Sequence, residues 1–185
     1  MRLSKFIISV SALLIGICVA FGATAAQAEN NHVKWERILG VIVPGTTSGG
    51  FNVVAGVPSV GLSWAVTRGK AKVNLETGRM KFDVEGLVLR AAPPPPVIGA
   101  PSPVIGVPSP LVTMVKGTVV CNSTGAAELV DTAAVPLSAQ GEAEFHGTVA
   151  LPPVCETVAF LIRVADDPPN ILFNRWIAHG AVRKP

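Results

Sequence analysis

Residues 69–90 alternate apolar and polar side chains with a period of two, and no other stretch restricts the fold as strongly. The apolar members of this alternation are Val73, Leu75, Met80, Phe82 and Val84. A period of two places one face of a strand in a core and the other in water, whereas a helix would distribute the intervening charges around its circumference. Gly78 interrupts the pattern where a tight hairpin turn needs a positive φ angle. The stretch therefore predicts a β-hairpin.

Other segments rich in apolar and β-branched residues predict further strands. We expect them within residues 33–43, 51–57 or 62–67, 111–121, 143–151, 157–164 and 171–182. The near absence of charge in 111–121 indicates burial on both faces. Together these segments predict an all-β fold, an antiparallel β-sandwich of about eight strands, with a small β-barrel as the alternative.

The first 28 residues have the three-part layout of a secretory signal. A basic start at Arg2 and Lys5 precedes an apolar run, and small residues end the segment at Ala28. The run is about 16 residues long, shorter than the roughly 20 that a membrane-spanning helix needs. We expect cleavage after Ala28, a single β domain over residues 29–185, and a secreted or periplasmic protein with no membrane span after cleavage.

The charge balance gives little support to polyanionic partners. The formal charge of the whole chain is +3, and it falls to +1 when Arg2 and Lys5 leave with the signal. We therefore expect no nucleic-acid partner.

Cys121 and Cys155 are the two cysteines that remain after removal of the signal, which takes Cys18 with it. In an oxidising compartment an even pair predicts a disulfide, since neither residue belongs to a CxxC motif or has a histidine beside it in the sequence. A reactive thiol would need such a neighbour to lower its pKa.

A proline-rich segment separates two predicted strands. Residues 91–110 carry no charge and hold half of the prolines of the chain, and a seven-residue Pro-Val-Ile-Gly unit occurs twice within them. This density of proline favours an extended loop or insertion. A second interpretation is an arm that contacts a protein partner, because an extended chain loses little entropy on docking. The apolar residues of this arm are Val97, Ile98, Val104 and Ile105.

Residues with catalytic or metal-binding potential are scattered. Ser63 lies in a sequence similar to a nucleophile elbow, but Ala65 replaces the second glycine and no helix is predicted to follow. His32, His146 and His179 show no HxH or HExxH spacing. The residues predict no catalytic, metal or cofactor site.

Two groups of carboxylates have the residue types of a calcium-binding or a catalytic site. Asp166 and Asp167 adjoin two prolines, which favours a solvated turn over a calcium loop. Four others, Asp83, Glu85, Glu142 and Glu144, are compatible with a glycosidase-type pair, but all fit the exposed faces of strands.

The tryptophan and tyrosine content of the chain favours core positions for the tryptophans over a carbohydrate-binding surface. Trp35, Trp64 and Trp176 are the three tryptophans, and the chain contains no tyrosine. Carbohydrate faces usually combine both residue types. We therefore expect the tryptophans in the core or at its edge.

Several motifs resemble those of a group of small exported bacterial proteins of uncharacterised function. They are Trp35-x-Arg37-Ile38-x-Gly40, residues 73–79, 82–89, 116–121, 130–132, 160–163 and 176–178. The resemblance covers most of the mature chain and implies no catalytic residue; residues 91–110 would be an insertion. The hairpin is also similar to the strand pair of CHRD-type extracellular domains, without the paired histidines of that family.

The sequence favours an exported, non-catalytic β-domain protein that binds a partner or has a structural role in the cell envelope or outside the cell. An extracellular hydrolase or metal-dependent enzyme, with a site assembled from distant residues, is the alternative. A carrier of a small apolar ligand inside a barrel is a third hypothesis, and it needs a cavity.

Overall fold

A computed structural model describes residues 31–42, 51–90, 106–107, 111–122, 125–156 and 158–184. The strands are β1 (His32–Gly40), β2 (Val53–Val54), β3 (Val57–Pro58), β4 (Trp64–Ala65), β5 (Arg68–Asn74), β6 (Arg79–Glu85), β7 (Val88–Arg90), β8 (Gly106–Val107), β9 (Met114–Cys121), β10 (Glu128–Asp131), β11 (Val135–Pro136), β12 (Ala143–Thr148), β13 (Ala159–Val164) and β14 (Trp176–Lys184). These residues contain no helix, which confirms the all-β class. The predicted signal and the apolar residues of the proline-rich arm lie outside the described residues.

One antiparallel sheet contains most of the strands. Its order is β10-β9-β13-β14-β1-β5-β6-β12, and β11 pairs with β9 beside β10. The sheet curls into a half-barrel. Two small sheets, β2-β3 and β4-β7-β8, accompany it.

The curl brings strands that are distant in the sheet into contact. Phe82 on β6 and Phe160 on β13 are separated by β14, β1 and β5, which in a flat sheet would place them about 19 Å apart. Their ring centroids are 5.9 Å apart. Trp35 and Phe145 extend the same cluster, with centroids 5.4 Å from Phe160 and 6.0 Å from Phe82. The interior of the half-barrel is thus filled by aromatic side chains.

The β5–β6 hairpin forms as predicted, with its turn at Gly78. Val73 pairs with Met80, and Gly78 has a φ of 67°. The Asn74 side chain accepts hydrogen bonds from the backbone N–H groups of Glu76 and Thr77, at 3.0 and 2.8 Å. This Asx-type arrangement satisfies the turn locally, and the hairpin therefore forms from local sequence.

The burial of β9 on both faces is also confirmed. Val119, which pairs with Phe160 on the inner face, and Val120, on the outer face, are both fully buried. Gly117 is on the inner face, where a Cβ atom would come within 2.8 Å of the Phe82 ring. Glycine is therefore needed there to admit the aromatic side chain.

The structure departs from the sequence prediction in two ways. Residues 171–174 form a turn, so the last strand begins at Trp176. The short strands β8, β10 and β11 were not predicted, and β8 lies within residues 91–110, which were expected to form a loop or insertion. β10 has only four residues, with a charged residue at each end, and this pattern carries no clear period-two signal.

Cys121 and Cys155 form the predicted disulfide, which links the end of β9 to the loop before β13. The bond closes a segment with a sequence separation of 34 residues. A loop of this length contributes roughly 3–4 kcal/mol in the chain-entropy account of disulfides.

We predict that Cys155→Ser lowers the free energy of unfolding by about 3 kcal/mol without changing the fold. Cys121 remains fully buried and acts as a small apolar residue. Urea unfolding of both proteins, with and without a reducing agent, measures the effect. The reductant should destabilise the wild type and leave the variant unchanged; a variant as stable as the oxidised wild type would contradict the prediction.

We further predict that Phe82→Ala costs about 3–5 kcal/mol because it removes the centre of the aromatic cluster. Its sequence neighbour Lys81 is exposed, so Lys81→Ala should cost less than about 0.5 kcal/mol. Chemical denaturation of the two variants makes the comparison. Similar losses at both positions would mean that the faces of β6 are assigned wrongly.

Candidate functional site

An apolar cleft of about 490 Å³ lies at the end of β1, where this strand meets β4 and the start of β14. Its apolar lining comprises Leu39, Val41, Ile42, Val54, Trp64, Ala65, Val66 and Trp176. Asn52, Arg90 and His179 are the polar residues of the lining. A mostly apolar concavity with few polar groups is typical of a binding site for a small molecule or a peptide side chain.

Backbone hydrogen bonds hold the walls of the cleft together. The Val41 N–H donates to the Ile177 carbonyl at 2.9 Å, and the Trp64 N–H donates to the Val41 carbonyl at 2.8 Å. The chain approaches so closely here that a Cβ atom at Gly40 would overlap the Trp64 carbonyl group. The glycine therefore lets β4 pack against the end of β1.

Trp64 and Trp176 are both almost fully buried, which confirms the prediction that the tryptophans lie in the core or at its edge. The Trp176 Nε1–H donates to the Val57 carbonyl at 3.0 Å, and the His179 ring packs edge-on against the Trp176 ring. Within the described residues the Trp64 Nε1–H has no acceptor. Packing alone therefore positions the Trp64 ring as a wall of the cleft.

Exposed apolar side chains lie in the segments that form this cleft. The described part of the chain has nine large apolar side chains that are exposed. Leu39 and Ile42 are two of them and line the cleft, and Phe51, Val53 and Leu62 are within two residues of other lining residues in the sequence. We call these five residues the apolar rim. Such a concentration of exposed apolar surface marks an interaction site more often than chance exposure does.

Sequence analysis did not identify the cleft, although a signal was present. Ile38 and Leu39 are consecutive apolar residues, and so are Val41 and Ile42. A strand with one solvated face should alternate apolar and polar residues here. Consecutive apolar residues therefore indicate that the outer face of β1 also contacts apolar groups.

A partly buried charge cluster stabilises the outer face of β9 and β13. The Asp131 carboxylate accepts hydrogen bonds from Thr118 Oγ1 at 2.7 Å and Arg163 Nη1 at 3.0 Å, and it lies 2.7 Å from Lys116 Nζ. Lys116 Nζ and Arg163 Nε also donate to Asn174, at 2.7 and 2.9 Å. These contacts satisfy the cations, so the cluster is a structural bridge between strands.

The cluster controls the pKa of Asp131. Burial by itself would raise that pKa, but hydrogen bonds from Lys116 and Thr118, with the charges of Arg163 and Lys116, bring it below its ordinary value of 3.8. Three of the motifs that carry the family resemblance, residues 116–121, 130–132 and 160–163, meet at this cluster.

The candidate carboxylates on the hairpin side share one open depression. It has a volume of about 400 Å³ and is lined by all four of them, Asp83, Glu85, Glu142 and Glu144. Two are held in ion pairs, Glu85 with Arg68 and Glu144 with Lys81. The Lys81 ammonium lowers the pKa of Glu144, whereas a glycosidase acid requires a raised pKa.

The structure keeps the three histidines apart. His146 on β12 and His179 on β14 are separated by β1, β5 and β6, and both lie on the outer, convex face, where the curl of the sheet turns their side chains away from each other. His32, at the opposite end of β1 from the cleft, contacts the Asn74 side chain. Among the described residues, no three His, Cys, Asp or Glu side chains form a group that could hold a metal ion.

The remaining candidates from the sequence are Ser63, Asp166 and Asp167, and they lie next to a strand or in a turn. Ser63 directly precedes β4, which continues into β5, so no strand-to-helix elbow forms there. The Asp166 carboxylate accepts hydrogen bonds from the backbone N–H and hydroxyl of Thr113 and thereby anchors its turn. The exposed Asp167 lies next to Pro168 in the same turn.

Comparison of the chain with family models, curated proteins and solved structures finds no match. The family resemblance stays a prediction. Among the described residues, none belongs to a helix of the length and apolarity that crossing a bilayer requires.

We predict that Asp131→Asn lowers the free energy of unfolding by about 1–2 kcal/mol at neutral pH, because the buried Arg163 and the partly buried Lys116 lose their counter-charge, while the partial exposure of Asp131 screens the interaction. The folded-state pKa of Asp131 is lowered, so its stabilisation is present above about pH 4 and is lost as the pH falls through the lower folded-state value. Urea titrations at pH 7 and pH 3 should therefore show a large difference from the wild type at pH 7 and a smaller one at pH 3.

Asp167→Asn is the matched control, since Asp167 is exposed and in no ion pair within the described residues. Its effect should stay below about 0.5 kcal/mol at both pH values. An Asp131→Asn effect that is equal at both pH values would show that the carboxylate charge is not the cause.

Proposed function

We propose that this chain is an exported, non-catalytic binding protein of the cell envelope or extracellular space, and that the apolar cleft is its binding site. The predicted signal supports export, and the disulfide is compatible with an oxidising compartment. The apolar rim is the observation that carries the proposal. Exposing these side chains to water is unfavourable, and a ligand that covers them removes that penalty.

The lining of the cleft favours an amphipathic ligand. The two tryptophan rings and the aliphatic side chains suit an apolar body, while Arg90 and His179 can interact with an anionic or hydrogen-bond-accepting end group. A carboxylate attached to an apolar chain combines the two properties. We therefore propose an amphipathic carboxylate as the ligand class.

The same reasoning disfavours the other hypotheses. A carrier with its ligand inside the half-barrel would need space that Trp35, Phe82 and Phe160 occupy. An enzyme with His146 and His179 in one site would need residues that the sheet separates by three strands. The apolar arm of the proline-rich segment stays a further predicted contact, to a protein partner.

The proposal predicts that the protein binds an amphipathic anionic fluorophore, anilinonaphthalene sulfonate, and that a medium-chain fatty acid such as dodecanoate displaces it. Because Trp64 and Trp176 line the cleft, intrinsic tryptophan fluorescence should change in parallel. We expect Leu39→Glu to weaken binding about tenfold or more, since it introduces a charge on the rim and repels the anion.

Leu129→Glu is the matched control, because Leu129 is also exposed and apolar but lies on β10, outside the cleft lining. It should bind the fluorophore with wild-type affinity. Equal losses in both variants, or a wild type that binds neither compound, would refute the cleft as the site.

A further inference from the structure

The register of the sheet aligns basic residues from five different strands. Lys34 on β1 pairs with Lys184 on β14 and with Lys72 on β5. Lys72 pairs with Lys81 on β6, and Lys81 pairs with His146 on β12. These five positions, which we call the basic row, cross the sheet perpendicular to the strands.

The middle of the basic row faces solvent. Lys34, Lys72 and Lys81 are exposed, while both sequence neighbours of each are buried on the inner face. Of the ion pairs within the described residues, none involves Lys34 or Lys72. Lys81 pairs with Glu144 at 2.8 Å. The charges of Lys34 and Lys72 are thus left for an external anion.

Like charges directly opposite each other on neighbouring strands destabilise a sheet. The basic row contains such pairs at Lys34–Lys72 and Lys72–Lys81. An anion bound along the row would remove this repulsion. The arrangement therefore couples sheet stability to anion binding.

The low net charge of the chain conceals this row because several acidic residues lie on the same face. Asp83 pairs with Glu144 across β6 and β12, and Glu85 and Glu142 line the same acidic depression. A second depression, of about 390 Å³, is lined by Lys34, Lys70, Lys72 and Lys81, with Glu36 as its acidic residue. Basic residues thus outnumber acidic ones around the row, and acidic residues predominate in the neighbouring depression.

We propose that the basic row binds an extended acidic polysaccharide that lies across the strands. Adjacent strands are about 4.8 Å apart, so the five positions span about 19 Å, and the exposed Lys34, Lys72 and Lys81 occupy three consecutive positions of the row. The outer face of a curled sheet is convex, so a flat surface would contact only part of the row, whereas a flexible linear polymer can follow it.

The residues of this face favour an acidic polysaccharide over nucleic acid. Single-stranded nucleic acids are held by aromatic side chains that stack on bases. The aromatic residues of these strands are not available for stacking: Trp35, Phe82 and Trp176 are buried, and Phe145 packs against Phe82. Lysine ammonium groups alone suit carboxylate and sulfate groups that need no stacking.

This surface is distinct from the proposed ligand cleft. Lys34 and Gly40 are six residues apart on β1, about 20 Å along the strand. Binding at the basic row can therefore be tested independently of the cleft, with the cleft variant Leu39→Glu as a protein that should keep it.

The test measures binding of the full mature protein to immobilised heparin, a sulfated polysaccharide, at low and high salt. We expect the wild type to bind at about 50 mM salt and to dissociate well below 1 M, because the contact is electrostatic. Lys72→Glu, at the centre of the row, should weaken binding about tenfold or more, and Lys34→Glu provides a second variant. Heparin should also raise the melting temperature of the wild type and not that of Lys72→Glu.

Arg68→Glu is the matched control, since it makes the same charge change on the same strand and face but four residues from Lys72, where Arg68 pairs with Glu85 outside the depression that the row lines. Its affinity should fall less than threefold. Equal losses in Arg68→Glu and Lys72→Glu would overturn the basic row in favour of diffuse attraction. The assignment to a polysaccharide would be overturned if the protein bound single-stranded DNA or phosphatidylglycerol vesicles as tightly as heparin. It would also be overturned if the protein self-associated at low salt through the basic row.

Discussion

The contact between Phe82 and Phe160 joins strands separated by three others, and the curl of the sheet depends on it. A flat sheet of this size would leave one whole face of aromatic and aliphatic side chains in water. Curling lets the sheet bury that face against itself, with Trp35 and Phe145 extending the cluster and Gly117 providing the space. The outer face of the curled sheet is exposed to solvent on some strands and covered on others. The exposed and the covered regions have different roles.

Charged residues on the outer face follow this division. Asp131 is partly exposed, but its carboxylate is paired with the buried Arg163 and the partly buried Lys116, which makes it a structural element. Lys34 and Lys72 lie where the face is open, and their charges remain available to solvent and to ligands. The same residue types therefore stabilise the fold in one region and offer a binding surface in another, because burial decides whether a charge must be paired internally.

Local sequence predicted the parts of the structure that local interactions build. The β5–β6 hairpin forms from alternation and an Asn74-capped turn, and the disulfide follows from an isolated pair of cysteines. Strand β10 was missed because its four residues carry no clear period-two signal, and the contact of its Asp131 with Arg163 joins residues 32 positions apart in the sequence. Arg163 within an apolar strand was a usable signal, since an arginine there requires a counter-charge.

The sequence by itself determined the all-β class and the outward direction of Lys72 and Lys81, because successive residues of an extended chain point to opposite faces. Only the tertiary structure decided that Lys34 and His146 stand in the same row, since the register between strands distant in the chain depends on their packing and leaves no local pattern. The apolar cleft has the same origin. Its walls come from segments that meet only when β4 packs against the curled sheet, so no single stretch of sequence contains it.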